Sequence, residues 1–153
     1  MRRPIAVLAV LALAAASLMG LTAIASSATS TPATVKTGTS SLGRIVVDGH
    51  AHTLYLFQKD KAGKSACSGA CAQNWPPLLT KGAPKAGPGA KASLLGTTKR
   101  ADGTTQVTYN KHPLYTFVGD AGKRGSTMGQ GLTAFGAKWY VVAAKGTARI
   151  GRY

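Results

Sequence analysis

Leu54-Tyr55-Leu56-Phe57-Gln58-Lys59-Asp60 returns sixty residues later as Leu114-Tyr115-Thr116-Phe117-Val118-Gly119-Asp120. Each copy is followed by a stretch rich in Gly and Lys and then by a tryptophan, Trp75 or Trp139. A repeat of this kind decides the architecture before any single residue does. In an extended strand, residues two apart share a face. Tyr55 and Phe57 therefore point one way, and Leu54 and Leu56 the other. Tyr115 and Phe117 do the same opposite Leu114 and Thr116. Aromatic, aliphatic and β-branched residues in alternation favour a strand with at least one buried face. Asp60 and Asp120 fall where each strand ends, and glycine follows each within three residues. A short carboxylate there accepts backbone N–H groups and anchors a turn. The competing reading brings both carboxylates across a pseudo-twofold axis into one site.

Outward from the phrase, Ile45-Val46-Val47 reads as a strand closed by Asp48-Gly49, a hairpin dipeptide. Trp75-Pro76-Pro77-Leu78-Leu79 cannot be helix interior or central strand, and Trp75 is expected at the bottom or edge of the core. Residues 82–89 carry three Gly and two Pro and form the mobile loop between repeats. Leu94 to Thr98 and Thr104 to Tyr109 flank the turn at Ala101-Asp102-Gly103, and Trp139 to Ala143 is the last strand. No segment keeps an apolar repeat at helical spacing for three turns. The fold class is all-β: six to eight short antiparallel strands in a small sandwich or barrel-like domain of two related repeats.

The Tyr-x-Phe-x-x-Asp phrase, present twice, resembles a family of bacterial secreted and lipoprotein repeats with a Yx(F/W/Y)xxD motif. Also matching are Gly63-Lys64-Ser65, Cys67-Ser68-Gly69-Ala70-Cys71-Ala72, Trp75-Pro76-Pro77-Leu78-Leu79, Gly129-Gln130-Gly131 and Trp139-Tyr140-Val141-Val142. The resemblance covers about Arg44 to Gly146. It implies a shared fold and an extracytoplasmic location, and no chemistry, because the family's function is unknown. Tyr55, Phe57, Asp60, Tyr115, Phe117, Asp120, Trp75 and Trp139 are the residues that carry it.

The chain begins Met1-Arg2-Arg3, followed by an apolar run from Ile5 to Leu21 and small residues at Ala23 and Ala25. This reads as a signal peptide over 1–25 and a secreted protein. A lipid anchor needs a Cys just after the apolar run, and Cys67 and Cys71 are the only cysteines. Residues 26–43 are Ser/Thr-rich with little apolar content and read as a flexible linker. The domain is assigned to 44–146, repeat 1 at about 44–80 and repeat 2 at about 93–146. A frayed basic tail spans 147–153. The domain and tail together hold about 110 residues, enough for one modest core.

The chain holds 19 Lys+Arg against 4 Asp+Glu, with no Glu at all. Removing Arg2 and Arg3 with the leader leaves 17 − 4 = +13. Such an excess attracts polyanions. For an exported protein these are an anionic cell-wall polymer or a membrane surface, and nucleic acid is not expected. The basic residues are scattered, which is also how an ordinary solvated surface looks.

Four carboxylates leave little for catalysis. Only Asp60 and Asp120 could make a glycosidase-like pair, and no Gly-x-Ser-x-Gly elbow or phosphate loop is present. Cys67 and Cys71 in an oxidising compartment read as a disulfide; as reduced thiolates with a His they would instead suit redox chemistry or copper. A haem attachment site is excluded by the three-residue spacing and by Ala72. His50, His52 and His112 are the candidate metal ligands; His50 and His52 would share one strand face, but they lie beside a turn, where a histidine is often merely exposed. No metal or cofactor is assigned. The functional reading is an exported, non-enzymatic cell-envelope binding or structural module with a basic surface. Its alternative is an extracytoplasmic redox or metal-handling protein built on the Cys pair and a His.

Overall fold

The computed structural model describes residues 31–150. The expected signal peptide, the start of the linker and the last three residues of the tail lie outside that range. Nine strands form three sheets. β1 (Thr34–Ser40) pairs antiparallel with β2 (Gly43–Asp48) and parallel with the short β4 (Lys85–Ala86). β9 (Ala137–Val141) lies between β3 (Tyr55–Phe57) and β8 (Thr133–Ala134). β6 (Thr105–Tyr109) lies between β5 (Leu95–Lys99) and β7 (His112–Pro113). Among the described residues there is one α-helix, α1 (Ala70–Asn74), five residues long. The protein is all-β and mainly antiparallel, as the alternating pattern implies, and no closed barrel forms.

The phrase is buried on both faces. Tyr55 and Phe57 enter one apolar cluster with Ile45, Val47, Trp75, Tyr115, Trp139 and Val141. Leu54 and Leu56 enter a second with Val35, Val46, Val107, Tyr109, Leu114 and Val142. Period-2 side-chain direction thus sorts one short segment into two cores.

The halves are interleaved. Tyr55 N donates to Tyr115 O at 2.8 Å and Tyr115 N to Tyr55 O at 3.0 Å, so the pseudo-twofold axis passes between the tyrosines. In repeat 1, Leu54 N donates to Val46 O; in repeat 2, Leu114 N donates to Val107 O. The segment that completes each hairpin comes from the other repeat. Val142 N donates to Leu54 O (3.0 Å), and Leu78 N donates to Leu114 O (2.9 Å). Likewise Phe57 lies opposite Trp139 in the β3–β9 ladder, and Pro77 bridges to Tyr115.

Four expectations are corrected. The linker assigned to 26–43 contains β1. Its Thr and Val residues favour extended backbone, and one buried side chain, Val35, with a full ladder to β2 is enough to hold it. Gly38 permits the close approach: a Cβ there would lie 3.1 Å from Val47 Cγ1. The loop at 82–89 includes β4, tied down by Lys85 N to Ala33 O and Gly87 N to Val35 O. Trp75 is central rather than peripheral, 1% exposed. The strands number nine among the described residues, because β4, β7 and β8 are two-residue pairings too short to leave a pattern in sequence.

Candidate functional site

Four of the six phrase and tryptophan rings make one continuous stack. Phe57 lies on Trp139, Trp139 on Trp75, and Trp75 on Phe117, with centroids 4.0, 4.0 and 4.1 Å apart. The two tryptophans are within 3° of parallel. Tyr55 meets Trp75 edge-on at 5.3 Å, and Tyr115 meets Trp139 edge-on at 5.1 Å. Stacked and edge-to-face arrangements are those favoured by the ring quadrupole. Both tryptophans are essentially sealed from solvent, so they serve as core, while Phe117 at the end of the stack is only partly buried.

The tyrosine hydroxyls cross between repeats. Tyr55 donates to Oδ2 of Asp120 at 2.7 Å, and Tyr115 donates to Oδ2 of Asp60 at 2.8 Å. Oδ1 of Asp120 accepts the Ser126 hydroxyl at 2.8 Å and the Met128 N–H at 2.9 Å. Oδ1 of Asp60 accepts the Ala66 N–H at 2.7 Å. No residue among those described bonds to both carboxylates; each has its own set of hydrogen bonds. Each anchors its own turn, as the local reading has it, but each also accepts a buried hydroxyl from the other half. Burial pushes the Asp60 carboxyl up to about 6, against the lowering pull of the Ala66 N–H, the Tyr115 hydroxyl and the Arg100 charge. Burial also raises both tyrosines well above their ordinary value, so they remain donors.

Arg100 and Gln106 were not legible as partners of this network. Arg100 is buried and donates to Ser65 Oγ (2.9 Å), Gln106 Oε1 (2.7 Å) and Cys67 O (2.7 Å). Gln106, fully buried, passes the chain on by donating to Leu114 O at 2.8 Å. The only sequence signal was a basic residue beside a turn, which ordinarily reads as surface. Cys67 and Cys71 are joined as a disulfide within the aromatic cluster. A disulfide offers no thiolate to a metal or a redox partner.

The histidines divide. His50 and His52 lie in the turn between β2 and β3 and not on a strand face, because Ala51 between them takes φ 71°. Such left-handed backbone costs an L-residue about 1–2 kcal/mol. Asp48, buried, joins them: its Oδ1 accepts the N–H groups of His50 and His52, both at 2.9 Å, and its Oδ2 lies 3.0 Å from His52 Nδ1. His112 is elsewhere, beside the β6–β7 turn, and burial lowers its pKa.

Comparison with known proteins places the repeat. A family described as a secreted repeat of unknown function matches residues 36–79 and 96–143. The chain belongs to this family. The first matched segment of the secreted repeat begins inside β1, the strand that composition had assigned to a linker. Both matched segments contain one tyrosine–aspartate phrase and one tryptophan. No curated protein and no solved structure matches significantly. No helix among the described residues is long and apolar enough to cross a membrane.

Proposed function

We propose that this secreted repeat is a non-catalytic module of the cell envelope that holds an anionic envelope polymer through its surface charge. One observation carries this reading. Three of the four carboxylates are withdrawn from the surface while nearly every lysine is exposed. Asp48 and Asp120 are buried, Asp60 is partly buried, and only Asp102 is exposed. Asp102 is already engaged by Thr104 and by Arg100, whose Nε is 3.6 Å away. Every lysine from Lys59 to Lys145 is exposed, and no lysine among the described residues is in an ion pair with a carboxylate. Scattered basic residues then act as an unopposed positive field rather than a neutralised surface. The Tyr–x–Phe–x–x–Asp residues serve as scaffold in this reading, since their hydroxyls, carboxylates and rings are consumed by one another.

The test is retention of the purified protein on isolated anionic cell-wall polymer and on vesicles with and without anionic lipid, across a salt series. Binding to the wall polymer that falls steeply between low and physiological ionic strength supports the proposal. Binding indifferent to salt, or no binding to the polymer at low salt, overturns it. Retention on anionic vesicles alone reassigns the target to the membrane surface.

A further inference from the structure

We infer that Asp48, His50 and His52 form a binding site for a divalent transition-metal ion. Each of the three offers a ligand atom within 4.8 Å of the other two. An ion of this class takes imidazole nitrogen and carboxylate oxygen at about 2.0–2.2 Å. Two donors on neighbouring corners of its coordination sphere are then about 3 Å apart. Oδ2 of Asp48 and Nδ1 of His52 already stand at 3.0 Å. In the loaded site the ion takes the place of the proton between them. His50 is exposed and therefore free to rotate inward, and its ring already faces that of His52, with centroids 5.7 Å apart and planes 24° from parallel.

Two features of the cluster suit ligation. The first is how the carboxylate is held. Its Oδ1 is fixed by two backbone N–H groups, which orients the group and leaves Oδ2 directed at the imidazole. Ligating carboxylates are commonly steadied in this way by a second set of hydrogen bonds. The second is that the rings of His50 and His52, on either side of Ala51, lie face to face.

Two imidazoles and one carboxylate suit copper(II), nickel(II) or zinc, with copper(II) bound most tightly. One carboxylate is too few for calcium or magnesium, which require oxygen-rich shells. Three protein donors leave coordination positions open. Asp48 and His50 border a groove lined by Thr34, Leu78 and Leu79, which gives solvent access to the cluster. The disulfide takes no part. The site is independent of the polymer-binding reading.

Calorimetric titration of the untagged, metal-stripped protein with copper(II), zinc and calcium tests the inference, with electron paramagnetic resonance of the copper form. Saturation at one copper(II) per chain, nitrogen hyperfine structure from imidazole, weaker zinc binding and no calcium binding are expected. His50→Ala, at an exposed position, should weaken copper affinity by about tenfold or more, and His112→Ala should leave it unchanged. Absence of saturable one-to-one binding overturns the inference. So does an affinity that His50→Ala and His52→Ala leave intact, or one that His112→Ala abolishes. Circular dichroism of each variant separates loss of ligand from loss of fold.

Discussion

The hydroxyl of Tyr55 donates to Asp120 across a separation of 65 residues, and not to Asp60, five residues away in its own phrase. Tyr115 returns the bond to Asp60. The repeated phrase is therefore half of two sites rather than the whole of one. A buried hydroxyl bonded to a carboxylate is worth about 1.5–3 kcal/mol. Double-mutant cycles with Tyr→Phe and Asp→Asn should give coupling of about 1–2 kcal/mol for Tyr55/Asp120 and for Tyr115/Asp60. The same-repeat pairs Tyr55/Asp60 and Tyr115/Asp120 should couple by less than about 0.5 kcal/mol. Equal coupling in all four cycles would contradict the crossed arrangement.

Because each hairpin is completed by a segment of the other repeat, neither half can close a core alone. Residues 31–90 and 91–150, expressed separately, should show no near-ultraviolet dichroism and little amide dispersion. Mixing them should restore both signals if the halves find each other. A half that folds as a monomer would show that the exchange of segments is dispensable.

Gly129 packs where no side chain fits. A Cβ would lie 2.7 Å from Trp75 Cη2 and 2.9 Å from Tyr55 Cε1. Gly129→Ala must displace the ring stack or the backbone that donates to the Tyr55 hydroxyl. Overpacking of this kind costs about 1–3 kcal/mol, readable as a lower denaturant midpoint with unchanged slope. Gly49→Ala, whose Cβ would make an ordinary 3.5 Å contact with Thr34, is the matched control and should be nearly neutral.

Trp75 and Trp139 are stacked at 4.0 Å, near enough for their transitions to couple. Trp75→Phe and Trp139→Phe should each remove the whole exciton signal in circular dichroism, not half of it. Truncation to Ala would cost about 3–5 kcal/mol, a large share of the roughly 5–15 kcal/mol that holds a domain together. The Phe variants are therefore the informative ones.

Asp60 sets a pH dependence with a definite sign. Its carboxyl is raised to about 6 in the fold, against about 3.9 in an unfolded chain. Between those values the native state binds more protons than the unfolded state, so this group's contribution to stability falls as pH rises. The contribution is complete below about pH 4 and gone above about pH 6. Denaturation of the wild type and Asp60→Asn across pH 4–7 isolates it: the stability difference between the two should change over that interval and flatten above it. A constant difference would show that Asp60 ionises as a solvent-exposed carboxylate.

What the sequence carried was local. Tyr55 and Phe57 opposite Leu54 and Leu56 is a period-2 pattern, and it sorted those side chains into separate clusters because strand geometry turns every second residue the same way. The disulfide followed from two cysteines in an exported chain. β1 escaped because a threonine-rich strand with one buried valine has the composition of a tether. Arg100 escaped because its partners, Ser65, Cys67 and Gln106, come together only when the loop after β3 folds against the β5–β6 hairpin.

The amino-acid order by itself determined that there are two related halves, that the first phrase copy runs as a strand, and which side chains of that copy share a face. Only the tertiary structure decided that each tyrosine serves the other half's aspartate, and that Asp48 joins the two histidines. The reason is degeneracy. Side-chain direction is set by covalent geometry within a few residues. A hydroxyl facing two near-identical carboxylates is assigned only when the chain closes around the axis between Tyr55 and Tyr115.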